Sequence, residues 1–210
     1  LLKTFLGRHT GEQVLRGRVK RGDGEKIHAV IWFCDLRGST PLAESMPMED
    51  FLEHLNRFFD CLAGAVIDHG GEVLRFVGDA VLAIFPFEDE TRPPEDMARA
   101  AAAAARDALA RRDAMNEKRA IPLQFGIGLH VGQVMYGNVG TTRRLDFTAT
   151  GVAVNEVTRL EGLTKKLKTP IVASKAFANL YPEPLNPLGR QDAAGIDGGL
   201  EVFGVNHSSS

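Results

Sequence analysis

An unbroken apolar run, Ala29-Val-Ile-Trp-Phe-Cys, ends at Asp35, and its length with its β-branched and aromatic content predicts a strand that stops at the carboxylate. From Glu49 to His69 the period changes. Phe51, Leu52, Leu55, Phe58, Phe59, Leu62 and Val66 recur at three and four residues, which makes one helix face apolar, and Gly70 and Gly71 close it. Such a stripe has to lie on a sheet. Residues 71–85 hold two short apolar segments around Val77-Gly-Asp79, a hairpin by its short glycine-containing turn. Pro93 and Pro94 open a second helix to about Lys118, whose Ala100 to Ala105 run combines high helix propensity with a flat face suited to close approach. Strands with spaced glycines are predicted over 123–131 and 134–136, another over 145–149, and a third helix from Val152 to about Lys166. A strand over 170–173, a short helix over 174–180 and strands near 185–188 and 200–205 complete the chain. The alternation predicts one layered α/β or α+β domain, without internal repeat or second domain.

At 210 residues, 44% hydrophobic and 25% charged, the chain can bury one full core. Its formal net charge of −2 provides no basic field, which disfavours nucleic acid and anionic membrane as partners. Cys34 and Cys61 fall in apolar strand and helix patterns without metal-ligand spacing, so they read as buried thiols of a reducing, cytoplasmic compartment and not as a disulfide. No apolar run approaches the roughly 18 residues of a membrane span. Residues 1–26 are polar and basic and end in the turn-rich Arg21-Gly-Asp-Gly-Glu25, a connector in front of a domain over 27–206, with 207–210 as a tail. A chain beginning at Leu1 is expected to continue upstream into a regulatory part or a membrane anchor.

Candidate chemistry concentrates at two acids 44 positions apart, Asp35 and Asp79. Singly, each reads as a cap or turn carboxylate. Together, at strand ends, they suit a hard cation such as Mg²⁺, which takes oxygen ligands from rigid backbone. Leu36-Arg-Gly-Ser-Thr40 follows Asp35 with a glycine break, backbone N–H groups and two hydroxyls at the start of a helix, an arrangement suited to phosphate oxygens. Asn155 and Arg159 are four apart and share one face of the third helix. Gly126-Ile-Gly-Leu-His-Val-Gly132 lies within a strand pattern and opens no helix, so it is a close-packed strand and not a dinucleotide loop. His130 is read as a packed strand residue, and Trp32 and Met48 as core or surface filler.

Three segments in this order, Phe33-Cys-Asp-Leu-Arg-Gly-Ser-Thr40, Gly71-Glu-Val-Leu-Arg-Phe-Val-Gly-Asp79-Ala-Val-Leu-Ala and Gly151-Val-Ala-Val-Asn155-Glu-Val-Thr-Arg159-Leu-Glu, resemble the catalytic domain of class III nucleotidyl cyclases, from about Ile27 to Asn206. The resemblance implies an α+β fold, a ferredoxin-like βαββαβ core with an extended, mostly antiparallel sheet flanked by helices. It implies that Asp35 and Asp79, helped by the Leu36 carbonyl, hold two Mg²⁺ or Mn²⁺ ions per site. Gly38, Ser39 and Thr40 would take phosphate, Asn155 the ribose and Arg159 the charge growing on the α-phosphate. Arg75 and Thr148 would read the base. It further implies a head-to-tail homodimer making 3′,5′-cyclic AMP and pyrophosphate from ATP, covalently linked to an upstream regulatory domain. Arg75 stands where many adenylyl cyclases have Lys, Val152 where the family usually has Asp or Asn, and the last strand lacks the basic residue some relatives use on the triphosphate. Arg37, Arg143, Arg144 and Arg190 are the candidates for that last role. Guanylyl cyclase activity and a non-catalytic nucleotide-binding regulatory module stand as alternatives, and no Gly-Gly-acid-Glu-Phe signature points to a diguanylate cyclase.

Overall fold

A computed structural model describes residues 24–87, 93–117, 119–141, 144–192 and 198–207. The central strand is β1 (Gly24–Leu36), and it shows why its sequence is apolar without alternation: both faces are covered. Ile27, Ala29 and Ile31 enter one core, while Val30, Trp32, Cys34 and Leu36 enter the other. A strand buried on both faces reads as a continuous hydrophobic run. β1 begins at Gly24, three residues inside the expected connector, whose residues 1–23 lie outside the described ones, as does 208–210 of the tail.

A seven-residue helix α1 (Ser39–Ser45) and the long α2 (Met48–Asp68) follow. β2 (Glu72–Val77) and β3 (Ala80–Pro86) form the expected hairpin. Helix α3 (Pro94–Asn116) lays Ala101, Ala102, Ala104, Ala105 and Ala108 against the sheet, all without exposed surface. These alanines let α3 sit beside α2, whose Phe58, Cys61, Leu62, Ala65 and Val66 fill the same core.

The strand β4 (Phe125–Thr141) runs on through Gly132, where two segments were expected. That glycine leaves room for a helix and does not end the strand, since a Cβ on it would lie 2.7 Å from the Ala153 Cβ. β4 pairs with β1 over 13 positions, from Gly24 opposite Gly137 to Leu36 opposite Phe125. Its far end turns back as β5 (Arg144–Thr150). Helix α4 (Val152–Lys166), β6 (Ile171–Ser174), α5 (Lys175–Leu180), β7 (Asn186–Gln191) and β8 (Leu200–Gly204) complete the described fold. The sheet order is β2-β3-β1-β4-β6-β8-β7, with β5 on β4. Among the described strands only β4 and β6 pair in parallel. β1-α2-β2-β3-α3-β4 with order β2-β3-β1-β4 is the ferredoxin-like core, and α2 and α3 cover one face of it. Helix α4 covers part of the other face, through Ala153 and Val157 against Ile27, Ala29, Ile31 and Val134. No described helix is long and apolar enough to cross a membrane.

Candidate active site

Asp35 is the penultimate residue of β1, opposite Ala80 on one side and Gly126 on the other. The β2–β3 turn carrying Asp79 is fastened beside it, because the Leu36 N–H donates to the Asp79 carbonyl at 3.0 Å. Sheet register therefore brings together two acids far apart in sequence. Burial, and then the Asp79 charge, push the Asp35 carboxyl above its ordinary pKa, against a lowering from the Leu36 N–H. The Asp35 Oδ1 is buried and has no hydrogen-bond partner among the described residues. A desolvated carboxylate oxygen without a donor, next to a second carboxylate, is what a divalent cation would satisfy. The residues therefore fit such an ion. Among the described residues no third His, Cys or acid joins them in a ligating cluster, so the Leu36 carbonyl, water and substrate oxygens would have to complete the shell.

After Leu36 the chain turns at Gly38, at φ 72° and ψ 19° in the left-handed region that glycine enters without strain. Ser39 and Thr40 then open α1, half-buried and exposed respectively. Arg37 lies beneath this turn. Its backbone N–H donates to the Gln124 carbonyl at 2.8 Å, and its Nη2 donates to the Thr164 Oγ1 at 2.7 Å.

Arg75 on β2 donates from Nη1 to the Thr148 Oγ1 on β5 at 3.2 Å. The two expected base-reading side chains, 73 positions apart, thus meet. The hydroxyl oxygen keeps a second lone pair and its own proton for a ligand.

Helix α4 starts at Gly151, whose φ of 137° is a glycine conformation. Val152 is 71% exposed. Asn155 is exposed and Arg159 half-buried, the side chains of both without a hydrogen bond or ion pair to other described residues. Three glycines of β4 set how α4 lies. An added Cβ would meet Ala153 at Gly132, the Val157 carbonyl and Glu161 N–H at Gly128, and the Thr164 side chain at Gly126. The helix thus runs down the strand toward the Asp35 level. By the rise per residue of strand and helix, Asn155 sits on the order of 15 Å along the sheet from Asp35 of the same chain.

Local sequence reading missed several groups. Glu161 is 9% exposed, and burial, then Asp35, push its carboxyl up to about 7 against a lowering by Arg37. His130 is a packed strand residue with partners: its Nε2 lies 2.9 Å from Glu156 Oε2 and its Nδ1 2.9 Å from Ser174 Oγ. Ser174 is no exposed nucleophile, being buried and capping α5 by accepting from the Phe177 N–H at 3.1 Å. The network fixes the turn of α4 that bears Asn155. Arg190 donates to the Gly198 carbonyl at 2.8 Å, whereas Arg143 and the Arg144 side chain lie outside the described residues.

This sheet order, with paired acids at one end and a polar helix on the second face, defines a nucleotide-cyclase-type domain. The chain belongs to the adenylate and guanylate cyclase catalytic domain family, which it matches over residues 24–181. The uncharacterised Mycobacterium tuberculosis proteins Rv1319c and Rv1320c are 39% and 40% identical over 177 residues, 82% of this chain and 32% and 30% of theirs. The chain spans about a third of the length of these curated relatives. Among solved structures, a bacterial light-regulated adenylyl cyclase superposes with a TM-score of 0.84 at 25% identity, over 98% of this chain and 60% of that one. The guanylyl cyclase Cya2 does so with 0.71 at 26%, over 87% and 93%. The adenylyl cyclase CyaB of P. aeruginosa shares the fold with 0.73 at 24%, over 88% and 96%.

Proposed function

We propose that this domain is an adenylyl cyclase that turns ATP into 3′,5′-cyclic AMP and pyrophosphate at the interface of a head-to-tail homodimer. The observation that carries the proposal is the Asp35–Asp79 corner, with its desolvated, partnerless carboxylate oxygen. When bound there, Mg²⁺ or Mn²⁺ ions would acidify the ribose 3′-hydroxyl and neutralise the triphosphate. Asp35, Asp79 and the Leu36 carbonyl hold the ions, and Gly38, Ser39 and Thr40 take the phosphate tail. Asn155 orients the ribose. Arg159, permanently charged and planar, stabilises the charge that builds on the α-phosphate as the 3′-oxygen attacks in line and pyrophosphate leaves.

The spacing within one chain supports the dimer. A nucleotide gripped at Asp35 has its ribose too far from that chain's own Asn155, so a second chain in two-fold relation supplies the helix, and two equivalent sites result. Exposed apolar side chains at Phe76, Val77, Met135, Val139 and Val152, each 43–71% exposed, offer the surface to bury. ATP is preferred because Arg75 presents a donor where guanylyl selection uses an acid, and Thr148 can accept from the adenine amino group. A regulatory domain linked to this one would act on this interface.

Incubation with ATP or GTP, with Mg²⁺ and separately with Mn²⁺, followed by chromatography of the cyclic product, tests the reading. Cyclic AMP from ATP is expected to exceed cyclic GMP from GTP. Faster GTP turnover would reassign the base pocket, and nucleotide binding without any pyrophosphate release would leave a regulatory module.

A further inference from the structure

Arg37 is charged, follows the metal corner directly, and was a candidate for holding the triphosphate. Its guanidinium instead reaches across the sheet to α4, where Nη2 donates to the Thr164 Oγ1 at 2.7 Å. Thr164 has no exposed surface, and its hydroxyl donates in turn to the Glu161 carbonyl at 2.6 Å. The contact occupies the space left by Gly126, the residue opposite Asp35, where a Cβ would collide with the Thr164 side chain and lie 2.8 Å from Arg37 Nη2. The Arg37 Nε is itself buried without an acceptor among the described residues. A cation anchored at one end by its backbone bond to Gln124 and at the other inside a helix is poorly placed to leave for a phosphate.

We infer that Arg37 is a positioning residue that couples the two active sites of the dimer. This rests on the two-chain reading above. In that arrangement the Asp35–Asp79 corner of a chain serves one site, and its α4, with Asn155 and Arg159, serves the other. Arg37 and Thr164 join the two within the chain by a short charge-assisted bond through the Gly126 gap. A shift of the Leu36–Thr40 turn on loading one site is passed to the last turn of α4, and so to the Arg159 that acts in the neighbouring site. A two-state element biased from both ends is the physical content of such coupling.

The test uses dimers with one complete site, formed by mixing Asp35→Ala and Arg159→Ala chains. The live site takes its metal corner from the Arg159→Ala chain and its α4 from the Asp35→Ala chain. Arg37→Met is then added to the Asp35→Ala chain alone, where no phosphate is held. The proposal expects kcat of the live site to fall roughly 10- to 100-fold with KM changed less than about threefold, since a misplaced transition-state group costs rate and not ground-state affinity. Thr164→Val in the same chain, nearly isosteric, is expected to reproduce the loss, and the double variant to add little. If Arg37→Met is harmless there but raises KM in the Arg159→Ala chain, Arg37 is a triphosphate ligand and the proposal is overturned. A dead mixture before Arg37 is touched overturns the two-chain reading instead. In the mixed dimer the α4 of the Arg159→Ala chain faces the dead site, so Mg²⁺ with α,β-methylene-ATP at the live site must protect its amides 152–166 against hydrogen exchange and must fail to do so when that chain carries Arg37→Met; equal protection in both overturns the coupling.

Discussion

Asp35 holds a charge that the fold itself does not compensate. Its carboxyl has a folded pKa raised above the ordinary value of 3.8 by burial and by Asp79, so the folded chain binds that proton more tightly than the unfolded chain. Stability therefore falls as pH rises from 3.8 to the raised folded value, and stays lower above it. Asp35→Asn is expected to melt higher than the unaltered protein at neutral pH without divalent ions, and to lose cyclic product; a lower melting temperature would show that the carboxylate is already compensated. Glu161 is the stronger case, pushed up to about 7 from 4.5. Its contribution declines between about pH 4.5 and 7, so Glu161→Gln should raise the melting temperature by a few degrees at pH 8 and by nothing below about pH 4.5. A pH-independent difference would contradict this. The chemistry was unevenly legible at this scale. Asp35, Asp79, Arg75 and Thr148 lie in or beside motifs with local turn and strand signals, and the structure brings each pair together. Arg37–Thr164 and His130–Glu156 join residues 127 and 26 positions apart, through space no local pattern records.

The placement of α4 is a matter of elements. The spaced glycines of β4 were legible as a close-packed strand, but the element they admit was not, because a missing Cβ does not say what fills its place. Gly128→Ala would put a Cβ 2.5 Å from the Val157 carbonyl and 2.9 Å from the Glu161 N–H, both backbone, so the helix must lift. A loss of about 2 kcal/mol or more in denaturant unfolding, together with loss of activity, is expected. Gly162→Ala is the control on the same helix, because nothing lies within 4 Å of its Cβ; helix propensity should make it more stable by about 0.5–1 kcal/mol. If both substitutions behave alike, the glycines of β4 do not set the helix. The two-period alternation of covered strands and amphipathic helices gave the elements away, while the join of 123–131 and 134–136 into one strand depends on the 13-position ladder with β1, a tertiary cause.

For the whole molecule, the proposed dimer requires each chain to carry two halves of different sites. The sheet places paired acids at one end and runs Asn155 and Arg159 along the second face, on the order of 15 Å away for Asn155. The order of the motifs made the fold legible in the sequence, but the distance between the halves needed the register of β1 on β4. Mixing inactive Asp35→Ala and Arg159→Ala proteins tests this most directly, with cyclic product as the readout. Random reassociation makes half the dimers mixed, each with one complete site, so about a quarter of unaltered activity is expected. A mixture as inactive as either parent, under conditions where the unaltered protein turns over and the variants remain dimeric, would contradict the account.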